Sequence, residues 1–345
     1  MRQLTCTGPH QLAWLDVPEP VLQADTDALV RPLAVARCDI DRALIAGAFQ
    51  QRGAFAVGHE CVAEVISLGD SVQHLALGQQ VVVPFQLSCG ECPACRAGHS
   101  AVCAAYPILS DYGMMPLSGV EYGGMLSDVV RVPFASAMLQ PVPRGLDPVA
   151  LASVSDNVVD GFRAVAPHLS THPGSEVLIV SHGSPSIPLY AVQAALALGA
   201  SRVDFACKIE EELALAEKLG ARVIRTDFVK RADQYPIVID AGATREGIAY
   251  SIASTAPAGT LQVVGVYPGE TALPLMKMYT RGMRVEIGRC HASAEVPRAL
   301  PLIASGKLRP QEVTTRVVSW EDAVEAYKEP AIKLVLSRGA QVARL

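Results

Sequence analysis

The chain has 345 residues, of which 50% are hydrophobic and 18% are charged, and its formal net charge is −5. This length predicts two domains, and 34 acidic against 29 basic residues without a basic block argue against a nucleic-acid surface. No apolar run approaches the roughly 20 residues that span a bilayer, and the first ten residues lack the features of a signal peptide, so we expect a cytoplasmic protein that does not bind membranes.

Short alternating strands punctuated by Pro and Gly fill the chain up to about residue 145. The alternation is clearest in ALVRPLAVA (28–36), CVAEVIS (61–67), QVVVPF (80–85) and SDVVRVP (127–133). This pattern predicts an irregular β-rich domain.

Within this region, at about residues 86–110, four cysteines lie close together: Cys89, Cys92, Cys95 and Cys103. Two-residue gaps let successive thiolates converge, and a longer return through Gly98 closes a tetrahedron, so we expect a structural Zn²⁺. An iron–sulfur cluster is the main alternative, but its bacterial motif places the fourth cysteine three residues on and follows it with proline. Four thiolates leave no open position for a substrate, so any chemistry must occur elsewhere.

From about residue 175 the pattern changes to strands that alternate with helices. Predicted strands cover 176–181, 202–206, 237–242, 260–266 and 284–288, and predicted helices cover 189–198 and 210–221. This order predicts a parallel, doubly wound sheet with right-handed crossovers. The tail predicts a helix over 321–328 and a strand over 332–337.

A second candidate metal site involves Cys38 and the Gly58-His59-Glu60 segment that follows it. Thiolate, imidazole and carboxylate are all zinc ligands. Taken alone, however, a single buried cysteine and a single histidine are more often packing residues than ligands.

Several motifs occur in an order that is informative as a whole. They are ARCDID around Cys38, GHECVAEVISLGDSV from Gly58, the four-cysteine segment, EYGGMLSDVVRVP from Glu121 and EDAVEAYKEPAIKLVLS (321–337). Together they resemble the zinc-containing medium-chain dehydrogenase/reductase family of the alcohol dehydrogenase type, over essentially the whole chain.

The resemblance implies an α/β fold with two domains. A GroES-like β-rich catalytic domain would cover residues 1–145, and residues 290–345 would return to it. A Rossmann-type nucleotide-binding domain with a doubly wound parallel sheet would cover 146–289, and the active site would lie in the cleft between the domains. The family also implies a small-molecule substrate and a homo-oligomer, either a dimer or a tetramer.

The same resemblance implies a catalytic Zn²⁺ on Cys38, His59 and Asp156, and hence two zinc ions per chain with the structural one. Asp41 would orient the imidazole of His59. Glu60 would lie beside the metal or exchange onto it.

Two departures from the family pattern concern proton transfer. Many members carry Ser or Thr and then His where this chain has Ile40 and Ala43, and Ile neither donates nor accepts a hydrogen bond. A zinc-dependent, NAD(P)-linked alcohol/carbonyl oxidoreductase remains the leading hypothesis. A reductase of activated C=C or C=N bonds on the same scaffold is the alternative.

The expected phosphate-binding turn reads SHGSPSIPLY (181–190). Gly183 permits the tight turn, but Ser181 and Pro188 replace other family glycines, which leaves a non-catalytic relative as a third hypothesis. We expect cofactor contacts from eight residues: Ser181, His182, Gly183, Ser184, Ser186, Ile187, Cys207 and Lys208. Asp204 is expected inside the second strand, so Lys208 at the end of that strand favours NADP(H) over NAD(H).

Overall fold

The computed structural model describes residues 1–49, 53–115, 117, 120, 122–267 and 269–339. The chain divides into two compact units, the first comprising Met1–Val159 with Cys290–Leu345 and the second comprising Asp160–Arg289. The predicted boundary after residue 145 is therefore too early. The reason is local packing, because the segment before Asp160 lies against strands of the first unit.

The N-terminal part of the first unit is β-rich, as predicted. Its strands are β1 (Arg2–Gly8), β2 (Gln11–Asp16), β3 (Ala28–Arg37), β4 (Phe55–Ala56), β5 (Glu60–Leu68), β6 (Gln80–Val83), β7 (Val130–Val132) and β8 (Gln140–Pro141). Its helices are short: α1 (Asp39–Ile45), α2 (Pro93–Arg96), α3 (Ala135–Met138) and α4 (Pro148–Leu151). All four predicted strands of this region are present.

The second unit contains the predicted parallel sheet, in the order β11-β10-β9-β12-β13-β14. Its strands are β9 (Glu176–Ser181), β10 (Arg202–Cys207), β11 (Arg222–Arg225), β12 (Tyr235–Ala241), β13 (Thr255–Val263) and β14 (Arg284–Ile287). Its helices are α5 (Asn157–Thr171), which begins just before the unit, α6 (Ser186–Ala197), α7 (Glu210–Lys218), α8 (Arg245–Ser254) and α9 (Leu275–Thr280). The helix α6 begins earlier than predicted, because Pro188 fits its first turn without losing a helical hydrogen bond.

The C-terminal return adds α10 (Ala292–Ala304), β15 (Arg316–Ser319), α11 (Ala323–Ala326) and β16 (Leu334–Ser337) to the first unit. The predicted helix over 321–328 is shorter than expected, since a 3₁₀ turn at Trp320–Asp322 precedes α11. The main sheet runs β15-β16-β3-β5-β6-β8, with β7 also on β3. No helix in the described part of the chain has both the length and the apolar character needed to cross a bilayer.

Candidate active site

Strand pairing brings distant segments together at one end of the main sheet. Ala36 of β3 pairs with Glu60 of β5, and Arg37 pairs with Leu334 of β16. Cys38 follows β3 directly, while His59 and Lys333 immediately precede β5 and β16. These three side chains therefore start from neighbouring points of the sheet although they are far apart in the sequence.

The predicted catalytic ligands converge. One ligand atom from each of Cys38, His59, Glu60 and Asp156 lies within 4.8 Å of the others, and all four residues are buried. The Nε2 atom of His59 is 3.3 Å from Oδ2 of Asp156. Two ligand atoms at about 2.1 Å from a tetrahedral ion lie roughly 3.4 Å apart, so the donor set and its spacing fit Zn²⁺.

The electrostatics of this cluster also fit a cation. Burial raises the pKa of the Cys38 thiol to about 12 and that of the Glu60 carboxyl to about 7. Burial lowers the pKa of His59, but the carboxylates of Asp41 and Asp156 raise it by more, so that it lies well above its usual value. Free of metal, the cluster holds protons, and a divalent cation at the same point would displace them and stabilise the thiolate.

Asp41 lies where the resemblance predicts a residue that orients the histidine. Its Oδ1 is 3.2 Å from Nδ1 of His59, while its Oδ2 accepts hydrogen bonds from the Cys38 backbone N–H at 3.0 Å and the Tyr327 hydroxyl at 2.6 Å. Burial raises the pKa of Asp41, but His59, Tyr327 and the Cys38 N–H together lower it by more, so its net pKa falls below the usual value. The Asp41 carboxylate thus has contacts from three separate parts of the chain.

Three residues around this cluster were missed by sequence reasoning: Asn157, Tyr327 and Lys333. The amide Nδ2 of Asn157 donates to Sγ of Cys38 at 3.2 Å and to Oδ2 of Asp156 at 2.8 Å. The ammonium of Lys333 donates to Oε1 of Glu60 and to Oδ1 of Asn157, each at 2.7 Å. The one signal in the sequence was the position of Lys333 next to the apolar run LVLS, which indicates a lysine beside a buried strand.

The four-cysteine segment forms a second cluster, in which the Sγ atoms of Cys89, Cys92, Cys95 and Cys103 lie within 4.8 Å of one another. Backbone N–H groups point at three of these sulfurs. Cys89 accepts from the N–H groups of residues 91 and 92, Cys92 from those of 95 and 104, and Cys103 from those of 89 and 105. Such donors stabilise thiolates, so this segment fits a closed structural zinc site.

The predicted phosphate turn connects β9 to α6. Gly183 has a φ of +86°, the left-handed conformation that glycine adopts without strain. Gly183 and Ser184 are exposed, His182 and Ile187 are half-buried, and Ser186 is buried. The turn therefore presents backbone at the start of a helix, as phosphate binding requires.

The side chains of Ser181 and Cys207, both predicted cofactor contacts, lie against a buried glutamate. The Ser181 hydroxyl donates to Oε2 of the buried Glu212 at 2.6 Å, and Sγ of Cys207 lies 3.3 Å from the same oxygen. Their side chains thus contact a carboxylate of the protein, and their backbone groups alone could serve a cofactor. Sequence reasoning missed Glu212 because it lies in a run of three glutamates that is typical of an exposed helix start.

A cavity of about 580 Å³ lies next to Lys208, which is exposed at the end of β10. Arg225, Lys230 and Arg231 also line it, with Tyr250. Asp204 lies inside β10, as predicted, and its Oδ1 accepts a hydrogen bond from Arg222 at 2.9 Å. The carboxylate of Asp204 is therefore held within the sheet, and this cavity is rich in cations.

Comparison with known proteins agrees with this geometry. The family model for the alcohol dehydrogenase GroES-like domain matches residues 24–144, and that for zinc-binding dehydrogenase matches residues 187–305. A medium chain reductase/dehydrogenase, ucsI of Acremonium sp, is 32% identical over 227 residues, which cover 64% of this chain and 75% of the relative. Zinc-type alcohol dehydrogenase B of Aspergillus flavus is 26% identical over 342 residues, or 95% of this chain and 78% of the relative.

Among solved structures, alcohol dehydrogenase TADH from Thermus sp. ATN1 superimposes with a TM-score of 0.89 at 26% identity, covering 98% of this chain and 100% of that one. The chain belongs to the zinc-containing medium-chain dehydrogenase/reductase family. It is an oxidoreductase of the zinc-type alcohol dehydrogenase class.

Proposed function

We propose that the protein is a zinc-dependent, NADP(H)-linked oxidoreductase that interconverts an alcohol and a carbonyl. The observation that supports this most directly is the convergence of Cys38, His59 and Asp156 at one buried point. When bound, the zinc ion supplies Lewis acidity toward the substrate oxygen, and the nicotinamide supplies or accepts the hydride.

The residues of this chain then have distinct tasks. Cys38 and Asp156 provide two negative charges that balance a divalent ion, and His59 provides a neutral nitrogen. The Oδ1 atom of Asp41 lies 3.2 Å from Nδ1 of His59, and Nε2 on the other side of the ring lies 3.3 Å from Oδ2 of Asp156. Three protein ligands leave a fourth position for the substrate oxygen, in contrast to the four-cysteine site.

A second candidate function is the reduction of activated C=C or C=N bonds, and one specific observation favours it. Ile40 and Ala43 lie in α1, immediately after Cys38, and neither side chain can carry a proton. A reaction that takes its proton elsewhere tolerates this loss.

Incubation with NADPH deuterated at C4 separates the two reactions. Label on a carbinol carbon, from a panel of aldehydes and ketones, supports alcohol/carbonyl exchange. Label on a saturated β-carbon or an amine carbon instead would assign the alternative and overturn the first proposal.

The preference for NADP(H) rests on charge. Lys208 directly follows β10 beside a cavity lined by three further cations, and Asp204 is held inside the sheet. Cations favour a 2′-phosphate, whereas a carboxylate at the strand end favours a free ribose 2′-OH.

Isothermal titration with NADP⁺ and NAD⁺ tests this preference. Lys208→Glu should weaken NADP⁺ binding by about 10-fold and leave NAD⁺ binding nearly unchanged, since one charge-assisted contact is worth roughly 1.5 kcal/mol. Lys218→Glu, at an exposed lysine that ends α7, is the matched control. Tighter binding of NAD⁺ by the native chain would refute the preference, and heat from neither nucleotide would indicate a non-catalytic relative.

We also propose that the chain self-associates through β14. This strand is the edge of the parallel sheet, so one side of its backbone is unpaired within the described unit. Exposed apolar side chains lie on it and on α9, with Ile287 73% and Tyr279 82% exposed. A second copy that pairs β14 with β14 would cover both the backbone edge and this apolar surface.

Light scattering after size exclusion tests the self-association. The native chain should elute as a dimer or tetramer, and Ile287→Lys should shift it toward monomer, whereas Val21→Lys at an exposed site elsewhere should not. A monomeric native chain would refute the proposal. None of the nine cysteines, all in the described part of the chain, is in a disulfide, which supports the further proposal that the protein is cytoplasmic.

A further inference from the structure

Lys333 is a lysine with no exposed surface, located one residue before β16. A buried ammonium is costly unless it is paired and hydrogen-bonded. Lys333 is paired with Glu60 and bonded to Asn157, each at 2.7 Å. The proposed reaction gives this ammonium no role, although each of its two partners is the sequence neighbour of a predicted zinc ligand.

Lys333 determines how the amide of Asn157 is oriented. An ammonium can only donate hydrogen bonds, so it fixes the carbonyl oxygen of the amide toward itself. The NH₂ group then faces the other way, where it donates to Sγ of Cys38 and to Oδ2 of Asp156. The reversed amide would place its oxygen against two anionic ligands.

Lys333 also holds Glu60. The ammonium binds Oε1 of Glu60, while the other oxygen, Oε2, is buried without a hydrogen-bond partner in the described part of the chain. An oxygen of Glu60 lies within 4.8 Å of the ligand atoms of Cys38, His59 and Asp156. The Glu60 carboxylate is therefore close both to the Lys333 ammonium and to the point where a metal ion would bind.

We propose that Lys333 is a positioning residue that keeps Glu60 off the catalytic zinc, so that the fourth coordination position stays open to the substrate oxygen. This inference rests on the proposed function, because it requires a zinc ion on Cys38, His59 and Asp156. Without the ammonium, the buried Glu60 carboxylate loses its partner and turns to the metal. A site closed by four protein ligands then replaces an open one.

The test is the rate at which the isolated holoenzyme releases zinc to a chromogenic chelator. The phase that belongs to the catalytic site is the one missing in Cys38→Ala, and the other phase is an internal reference for folding. Lys333→Met should slow the catalytic phase by at least about 10-fold, the lower end of effects seen for residues that support metal ligands. Lys307→Met, at an exposed lysine of the same unit, should release both ions at the native rates.

Two further variants make the test independent of how well Lys333→Met folds. In Lys333→Met/Glu60→Gln the catalytic phase should return to within about twofold of the native rate, because the competing carboxylate is gone. Glu60→Gln alone should also release zinc at nearly the native rate, since Glu60 is held off the ion while Lys333 is present.

The opposite results overturn the proposal. A catalytic phase in Lys333→Met that is as fast as the native one, with the reference phase unchanged, would show that Lys333 does not restrain Glu60. Much faster release from Glu60→Gln would show that Glu60 is already a ligand. A zinc content that is the same in the native chain and in Cys38→Ala would instead refute the proposed function, so the two failures are distinguishable.

Discussion

The two candidate metal sites lie in the same unit of the molecule and are built in opposite ways. The four-cysteine site comes from residues 89–103, and backbone N–H groups surround its sulfurs. The second site draws Cys38, His59 and Asp156 from three separate stretches, and its thiolate and carboxylate receive a side-chain donor, Asn157.

The difference explains why one site can be closed and the other open. A short loop can satisfy four identical thiolates with its own backbone, and nothing then needs to enter. A site assembled by tertiary structure uses ligands of different charge and needs further side chains to hold each in place. Lys333 and Tyr327, both from the C-terminal return, provide that support.

The largest contrast between the sites should be in activity. Cys38→Ser should lower kcat/KM for carbonyl reduction by at least about 10⁴-fold, because loss of the Lewis acid removes several kcal/mol of charge stabilisation. Cys92→Ser should keep most of the activity at low temperature. Steady-state rates with NADPH and a panel of aldehydes and ketones check this, and similar losses in both variants would contradict the division of roles.

The thiols should also differ in reactivity once zinc is removed by a chelator. Backbone N–H groups of Ala104 and Cys95 lower the pKa of Cys92 to about 6, whereas burial raises that of Cys38 to about 12. At about pH 7 Cys92 is therefore mostly thiolate and Cys38 is protonated, so iodoacetamide should modify Cys92 at least about 10³-fold faster.

Peptide mass spectrometry over time measures both rates. The rate at Cys92 should fall as the pH decreases through about 6, since its thiolate is then protonated. Equal rates at the two cysteines around neutral pH would mean that the sites do not differ in this way.

A smaller effect is expected from the residue that anchors Asp41. Tyr327→Phe removes the hydroxyl that donates to Oδ2 of Asp41 at 2.6 Å. The carboxylate should then hold His59 less firmly, and release of the catalytic zinc should accelerate by about 10- to 100-fold. Tyr122→Phe, in the same unit but outside the cluster, is the matched control. Unchanged zinc release from Tyr327→Phe would show that the Tyr327 hydroxyl does not support the zinc ligands.

The smallest effect concerns stability. Cys92→Ser should lower the melting temperature by roughly 5 to 10 °C, because a bound ion stabilises the fold by mass action and each kcal/mol shifts the midpoint by a few degrees. Differential scanning calorimetry of the zinc-loaded protein measures the shift. A melting temperature equal to that of the native chain would mean that the four-cysteine site does not stabilise the unit.

The two sites also show which features of the structure can be predicted from the sequence. The spacing of Cys89, Cys92, Cys95 and Cys103 predicts their convergence directly, because one short segment contains every ligand. The parallel sheet follows from alternating strands and helices in the same way. No local sequence pattern links Cys38, His59 and Asp156. Only the family resemblance therefore predicted that these three residues form one site.

The residues that the sequence does not reveal depend on strand pairing. Lys333 reaches Glu60 because β16 pairs with β3 and β3 pairs with β5, and neither register can be deduced from composition or period. Asn157 resembles an ordinary residue at the start of a helix. Glu212 belongs to a run of glutamates that predicts an exposed surface, yet it is buried beneath the phosphate turn.

The most direct test of the account is the zinc content of the purified chain, measured by inductively coupled plasma mass spectrometry. The native protein should hold two zinc ions per chain, and Cys38→Ala and Cys92→Ser should each hold one. A Cys38→Ala variant that holds as much zinc as the native chain would contradict a catalytic ion on Cys38, His59 and Asp156.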